Sequence, residues 1–213
     1  MKRIVSTIIL IFLLVSCSKK DDGPGSDDFD PSQFYVTVMQ DGAPVLRLQN
    51  VIIFANNGSG TSSGTCRVYS IDPMPDVYNY QYKDGHLKVY GQGTKAELFA
   101  DFTIKNYQIV NTVLTDKDVD IGKVNIQLRR TPDLDAFNGK TFKGPRYYEG
   151  QVFAAVTISF SGGRVSGASA YTLINNGVAV IEPVNNSSAL FVIVNGKLAF
   201  LLGPSSYGYI DPI

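Results

Sequence analysis

Apolar and polar residues alternate, or β-branched and aromatic residues run together, in short segments along most of the chain. Such segments are typical of β-strands, and no stretch of helical length shows a competing helical period. The predicted strands are 34–39, 50–55, 66–71, 77–82, 86–90, 97–105, 107–114, 123–130, 152–160, 169–174, 178–184, 189–194 and 197–202. Many short strands separated by tight turns predict an all-β antiparallel meander that closes as a barrel or stacks as a sandwich.

The breaks between these segments carry residues that favour tight turns. Asn-Gly, Asp-Gly or Gly-Gly pairs stand at 84–85, 162–163, 176–177 and 195–196. Pairs of this kind tolerate the positive φ angles that a type I′ turn requires. Each pair therefore predicts a two-residue hairpin.

Two stretches of the chain, 51–71 and 156–174, resemble each other. Each has an apolar strand that ends in Phe, then a Gly/Ser-rich turn, then a strand that carries Tyr. Pro132 ends a predicted strand, because proline cannot continue a central ladder, and this makes 130–140 the best candidate boundary. The predicted organisation is an N-terminal β half at 34–131 and a C-terminal β half at 132–213. These form either two tandem halves or one continuous domain.

The first residues have the pattern of a leader. Lys2 and Arg3 precede an apolar run at 4–15, which is shorter than the ~20 residues of a membrane-spanning helix and fits a secretory signal. The run ends in Leu-Val-Ser-Cys at 14–17, which resembles the bacterial lipobox. That resemblance implies a signal peptide at 1–16 and a lipid-linked Cys17, and the alternative is an ordinary signal peptide.

Residues 17–33 are rich in Gly, Pro and charge, and this composition predicts a flexible tether. Several acyl chains on Cys17 would anchor the protein durably to a membrane. Loss of the signal peptide leaves 17 basic against 19 acidic residues, because only Lys2 and Arg3 are removed. The charge is balanced and no basic patch stands out, so nucleic acid is not expected as a partner.

Candidate chemistry is sparse. Cys66 would be the second of only two cysteines, so no intrachain disulfide is expected beside a lipidated Cys17. The single histidine, His86, flanks a predicted turn and would have to serve any catalytic triad. The aspartates of 116–120 have the spacing that opens a calcium loop, but the later Gly and Glu of an EF-hand are missing. The sequence therefore predicts no enzyme, no metal site and no cofactor.

Tyrosines offer the best candidate contacts for a ligand. Tyr78, Tyr80 and Tyr82 alternate and therefore share one strand face. A tyrosine row can line a ligand cavity, stack on a sugar ring or simply fill β structure. The predicted ligand contacts are Tyr78, Tyr80, Tyr82, Tyr69 and Phe54. A closed cavity would be lined by Phe54, Tyr69, Tyr80, Phe99 and Phe102, whereas a glycan- or protein-binding module would expose the tyrosine row.

Several of these features together resemble the small lipocalin-like (calycin) lipoproteins of Bacteroidota. They are the lipobox cysteine with a Lys/Asp run at 18–22, the Phe-to-Gly strand end, the Asp-Gly hairpin and the stretch 102–121. The segment Asn-Gly-Lys-Thr-Phe-Lys-Gly at 138–144 resembles the Gly-x-Trp signature of lipocalins, shifted by one residue and with Phe142 in place of Trp. The resemblance spans about 45–200.

This resemblance implies an up-and-down barrel on an outer-membrane lipoprotein, exposed at the cell surface or alternatively facing the periplasm. The expected function is non-catalytic binding of a small apolar or amphipathic ligand. The alternative is a surface glycan- or protein-binding accessory module.

Overall fold

The structure, a computed structural model, describes residues 29–41, 45–55, 62–70, 75–92, 97–115, 123–167, 169–184, 187–203 and 205–213. For residues 182–184 and 187 it describes the backbone alone. The predicted signal peptide, the lipidation site Cys17 and the aspartates of 116–120 lie outside the described residues. The described part contains no helix with the length and apolarity needed to cross a membrane.

The first part of the chain forms an antiparallel sheet of eight strands. They are β1 Phe34–Gln40, β2 Arg47–Phe54, β3 Ser63–Tyr69, β4 Asp76–Lys83, β5 His86–Tyr90, β6 Leu98–Lys105, β7 Gln108–Leu114 and β8 Val124–Arg130. Every one of them was predicted from the period-two pattern, with ends that differ by no more than three residues. The all-β antiparallel prediction is confirmed.

The second part forms an antiparallel sheet of nine strands. They are β9 Thr141–Tyr148, β10 Gln151–Ser161, β11 Arg164–Val165, β12 Ser169–Ala170, β13 Thr172–Asn175, β14 Val178–Val184, β15 Ser187–Val194, β16 Lys197–Leu202 and β17 Ser206–Pro212. The sequence pattern missed β9, β11 and β17. In β9 a central Gly-Pro pair hides the strand signal.

The ladder between β9 and β17 shows how that proline is tolerated. Tyr147 lies opposite Tyr207, and Lys143 lies opposite Asp211. The pairing is interrupted between these two points, where Pro145 falls. Proline has no backbone N–H to donate, so an interior strand can hold it only where the ladder is broken.

Both sheets close in the same way, with the last strand placed beside the first. The order is β7-β6-β5-β4-β3-β2-β1-β8 in the first sheet and β12-β11-β10-β9-β17-β16-β15-β14-β13 in the second. Each sheet is nearly closed into a barrel shape. Within the described residues, no backbone ladder joins β7 to β8 or β12 to β13. Each sheet therefore has one seam.

Alternation along β1 explains how the two sheets pack together. Val36 and Val38 point into the first sheet, where they join its core. Tyr35 and Met39 point the other way and contact the outer face of the second sheet. The apolar layer between the sheets comprises Tyr35, Met39, Leu48, Val51, Tyr69, Tyr147, Val178, Leu190, Val192, Val194, Ala199, Leu201 and Tyr207. A separate cluster fills the second sheet and includes Phe137, Phe142, Phe160, Phe191, Phe200 and Ile210.

Polar contacts at the edge of this layer also join the sheets. The hydroxyl of Tyr35 donates to the carbonyl of Ile193 at 3.2 Å. Arg129 Nη1 donates at 3.1 Å to Oδ1 of Asn195, which lies between β15 and β16, and within the first sheet its Nε donates to Thr37 Oγ1 at 3.2 Å. Burial raises the pKa of Tyr35 to about 12, although the charge of Arg129 opposes the shift. Tyr35 therefore stays protonated and keeps donating across the junction at neutral pH.

Three of the four predicted hairpin turns have the expected geometry. Both residues of 84–85, 162–163 and 195–196 have positive φ angles. The prediction for Asn176-Gly177 was wrong in detail, because neither residue has a positive φ. The two-residue hairpin itself forms, because Asn175 still lies opposite Val178, and the register shift between β13 and β14 falls one step earlier, between Leu173 and Asn175.

The residues just before β1 belong to the folded part. Phe29 is 8% exposed and lies in the core of the first sheet. Asp30 caps a short 3₁₀ turn at Pro31–Gln33. The tether prediction assigned 29–33 to the linker, but the buried ring of Phe29 packs this segment against the sheet.

Candidate functional site

The predicted tyrosine row lies inside the first sheet. Tyr80 and Tyr82 are buried, and Tyr78 is half-buried with its ring 4.7 Å from that of Phe99. The residues between them, Asn79 and Gln81, are exposed. An exposed tyrosine face, which the glycan-binding alternative expected, is therefore not formed by this row.

The five residues expected around a closed cavity do not share one space. Phe54 packs edge-on against Tyr80 at 5.2 Å, and both contact the core that holds the fully buried Phe102. Phe99 packs against the same core. Tyr69 lies instead in the layer between the sheets, because Cys66 and Val68 take the inward positions of β3. The interior rings fill the core by contacting one another.

Cys66 and His86 lie on opposite faces of the first sheet. Cys66 is fully buried in the core, and this burial raises the pKa of its thiol to about 12. His86 points outward, with Nδ1 placed 3.0 Å from Oδ1 of Asp101 and its side chain 45% exposed. A buried neutral thiol and a surface histidine have no shared site for nucleophilic chemistry.

A pocket of about 330 Å³ lies at one end of the first sheet. At this end β1 begins and β8 ends, and the turn between β6 and β7 contributes Tyr107. We call it the end pocket. It is lined by Asp30, Gln33, Phe34, Tyr107 and Arg130.

Aromatic rings form the apolar wall of the end pocket. Tyr107 lies nearly parallel to Phe34, with ring centroids 5.6 Å apart and an interplanar angle of 16°. Behind them, Phe29 contacts Phe34 at 5.0 Å and Tyr82 at 4.6 Å. Phe29, Phe34 and Tyr82 are buried, whereas Tyr107 is 43% exposed. The buried rings therefore support the ring of Tyr107, which is the one that faces solvent.

The backbone of Tyr107 adopts a conformation that favours glycine. Asn106 and Tyr107 form the turn between β6 and β7, with φ angles of 50° and 57°. A left-handed conformation costs a residue with a side chain about 1–2 kcal/mol. Strain of this order is often retained at functional sites, where the side chain serves a purpose that glycine cannot.

Among the described residues, the polar rim of the end pocket has one acidic and one basic side chain, Asp30 and Arg130. Asp30 accepts hydrogen bonds from the backbone N–H of Ser32 at 2.9 Å, from its hydroxyl at 2.7 Å and from Gln33 Nε2 at 3.4 Å. Arg130 stands directly opposite Phe34 in the ladder between β1 and β8. Paired residues share one face of a sheet, and Phe34 faces the core. Arg130 therefore lies on the core-facing side of β8, at the end of the strand, where it reaches the pocket rim.

The sequence did not predict this pocket, because several of its lining residues were assigned to other elements. It placed Asp30 and Gln33 in the tether and Tyr107 at the start of a strand. Two signals were nevertheless present. Asn106 precedes Tyr107 where a turn residue would be expected, and Arg130 continues the alternate positions of Ile126 and Leu128.

A second cavity, of about 350 Å³, lies along the seam between β7 and β8. Its lining is formed by Gln108, Ile109, Ile126, Gln127 and Leu128. Its described lining includes neither an aromatic nor a charged side chain, unlike that of the end pocket.

The hairpin of β9 and β10 carries an exposed apolar surface. Tyr148, Val152 and Phe153 are 46%, 66% and 65% exposed, and we call them the hairpin patch. Phe153 lies at a register shift in β10 and rests 5.3 Å from the guanidinium carbon of Arg146. Arg146 is itself fixed, since its Nε donates to the hydroxyl of Ser206 at 2.6 Å. The patch is therefore well supported.

The described residues contain no group of three His, Cys, Asp or Glu side chains placed to hold a metal ion. Comparison with known proteins found no matching family model, no matching curated protein and no matching solved structure.

Proposed function

We propose that the chain is a lipid-anchored cell-envelope lipoprotein whose β domain binds a small amphipathic ligand without catalysing a reaction. The observation that carries the proposal is the end pocket, where stacked rings lie beside charged and amide side chains. Sites for small molecules combine apolar walls with a few polar groups in this way. The pocket volume of about 330 Å³ lies at the small end of the usual range.

The proposed contacts differ from those expected from the sequence alone. Phe34 and Tyr107 take the place of the tyrosine row, because their rings line an accessible pocket. Tyr82 does not line the pocket, but its ring packs against Phe29, which in turn supports Phe34 in the pocket wall. Phe54 and Tyr80 support the interior of the sheet and are too buried to meet a ligand.

The anchor in this proposal rests on the sequence. Lipidation of Cys17 at the lipobox would hold the domain at a membrane through the segment that leads to Phe29. The proposed location is the outer membrane, at the cell surface or alternatively on the periplasmic side. The resemblance to lipocalin-like lipoproteins supports both the location and the class of function.

Native mass spectrometry tests the proposal. The chain with Cys17→Ser would be incubated with a lipid and glycan extract of a bacterial envelope and sprayed under native conditions. We expect a retained small amphipathic mass, which Tyr107→Ala loses because the outer ring of the wall is gone. Tyr148→Ala is the matched control, since it removes an equally exposed tyrosine outside the pocket. A bare mass from the parent chain, or equal retention by Tyr107→Ala, would contradict the proposal.

The second candidate is a surface glycan- or protein-binding accessory module. The hairpin patch favours it, because exposed aromatic rings held over an arginine are suited to stacking on a sugar or packing against a partner. An oligosaccharide or protein retained by the parent chain and lost with Phe153→Ala would support this candidate over the first.

A further inference from the structure

We propose that the ligand of the end pocket is an amphiphile with an anionic head group, and that Arg130 selects its charge. This inference rests on the function proposed above, because it concerns the same pocket.

The register of β8 places this arginine where the core would otherwise continue. Ile126 lies opposite Val38 and Leu128 lies opposite Val36, and all four side chains contact the core of the first sheet. The next position on that face is Arg130, which lies opposite Phe34. The inner face of the strand therefore changes from aliphatic to cationic at the rim of the pocket.

The two charges of the pocket are not equivalent. The carboxylate of Asp30 already accepts three hydrogen bonds, from the backbone and hydroxyl of Ser32 and from the amide of Gln33. Within the described residues, the guanidinium of Arg130 makes no hydrogen bond or ion pair. Of the other lining residues, Gln33 and Phe34 have no ionisable side chain, and Tyr107 contributes the outer ring of the aromatic wall. Arg130 is thus the group left to recognise a ligand charge.

The neighbouring stack defines the rest of the ligand. A guanidinium can hold a carboxylate or phosphate oxygen pair with two parallel hydrogen bonds. Tyr107 and Phe34 then offer flat apolar surface to the hydrocarbon next to the head group. An anionic head with an apolar tail fits both halves of the pocket, whereas a cationic head would face the unpaired arginine.

The position of the pocket in the chain points to a membrane source for such a ligand. Asp30 and Gln33 line the pocket and follow Phe29, which is twelve residues after Cys17. Twelve residues span at most about 40 Å. A lipid on Cys17 would therefore keep this pocket close to a bilayer, where anionic amphiphiles are concentrated. The head-group chemistry is shared by a membrane lipid and a free fatty acid.

Calorimetry with three ten-carbon probes tests the charge preference. The full chain with Cys17→Ser would be titrated with decanoate, decanol and decyltrimethylammonium below their micelle concentrations. We expect decanoate to bind about tenfold tighter than decanol, the effect of one charge-assisted hydrogen bond, and the cationic probe to bind most weakly. Equal affinities for decanoate and decanol would overturn the inference, and this comparison needs no variant.

Variants then assign the preference to Arg130. Arg130→Gln should abolish the advantage of decanoate over decanol, and Arg130→Lys should restore part of it. Arg67→Gln is the matched control, because Arg67 is an exposed arginine on the outward-facing side of the same sheet, and it should change nothing. An unchanged preference in Arg130→Gln would contradict the assignment, provided that its circular dichroism matches that of the parent chain.

A vesicle arm separates the two sources of the anion. Sedimentation with phosphatidylcholine vesicles, with and without phosphatidylglycerol, reports recognition of a lipid head group. Binding that depends on phosphatidylglycerol and on Arg130 identifies a membrane lipid, whereas binding of decanoate alone identifies a free acid. Failure of all three ten-carbon probes would sink the proposed function itself. Binding without charge preference would sink only this inference.

Discussion

Replacing Tyr107 by glycine removes two things at once, the conformational strain at its positive φ and the ring that stacks on Phe34. Tyr107 has a φ of 57°, a conformation that costs a residue with a side chain about 1–2 kcal/mol relative to glycine. Its ring stacks 5.6 Å from Phe34, and an aromatic pair of this kind contributes about 0.5–1.5 kcal/mol. The two effects oppose each other, so Tyr107→Gly should change the free energy of unfolding by no more than about 1.5 kcal/mol.

Tyr107→Ala is the matched comparison, because it loses the same ring but keeps a Cβ at a positive φ. We expect it to be about 1 kcal/mol less stable than Tyr107→Gly. Urea unfolding followed by circular dichroism measures the difference, and titration with decanoate measures the binding that both variants should lose. A glycine variant that is clearly less stable than the alanine variant would refute the strain argument. A glycine variant that retains full affinity would refute the role of the ring.

Three further outcomes are expected elsewhere in the molecule. Gly208→Ala should lower the free energy of unfolding by about 1–3 kcal/mol, because its Cβ would overlap the buried ring of Phe200. Urea titration measures the change, and an unchanged unfolding midpoint would contradict it. Cys66 should react with a thiol reagent only after unfolding, since burial raises its pKa to about 12, so rapid labelling of the folded Cys17→Ser chain would contradict its placement. Partial burial, the hydrogen bond to Asp135 and that carboxylate's charge raise the pKa of Tyr171 to about 12. This contribution is present below the unfolded pKa of about 10 and is lost as pH rises toward 12, so the stability advantage of the parent over Tyr171→Phe should shrink across that window in pH-dependent thermal melts; a constant difference would contradict it.

Strands with regular alternation could be read from the sequence, because one face is buried and the other is not. β5 and β16 were predicted with their exact residues, His86–Tyr90 and Lys197–Leu202. β9 could not be predicted, because its proline is compatible with a strand only through a local gap in the ladder with β17. That gap depends on a strand about sixty residues later in the chain.

The candidate site was less accessible from sequence than the fold. Alternation correctly placed Tyr78, Tyr80 and Tyr82 on one face, but it could not tell a packed core from a cavity. The end pocket joins residues from three distant points, at 30–34, at 107 and at 130. The pairing of β8 with β1 places Arg130 opposite Phe34, and the ring of Tyr107 in the β6–β7 turn packs on Phe34.

Nuclear magnetic resonance of the Cys17→Ser chain during titration with decanoate tests the central proposal most directly. Binding in the end pocket should shift the backbone amides of 29–34 and 106–107 and the side-chain Nε–H signal of Arg130. The amides of the hairpin patch at 148–153 should stay in place. Shifts confined to 148–153, or no shifts at the highest soluble concentration of decanoate, would contradict the assignment of this pocket as the binding site.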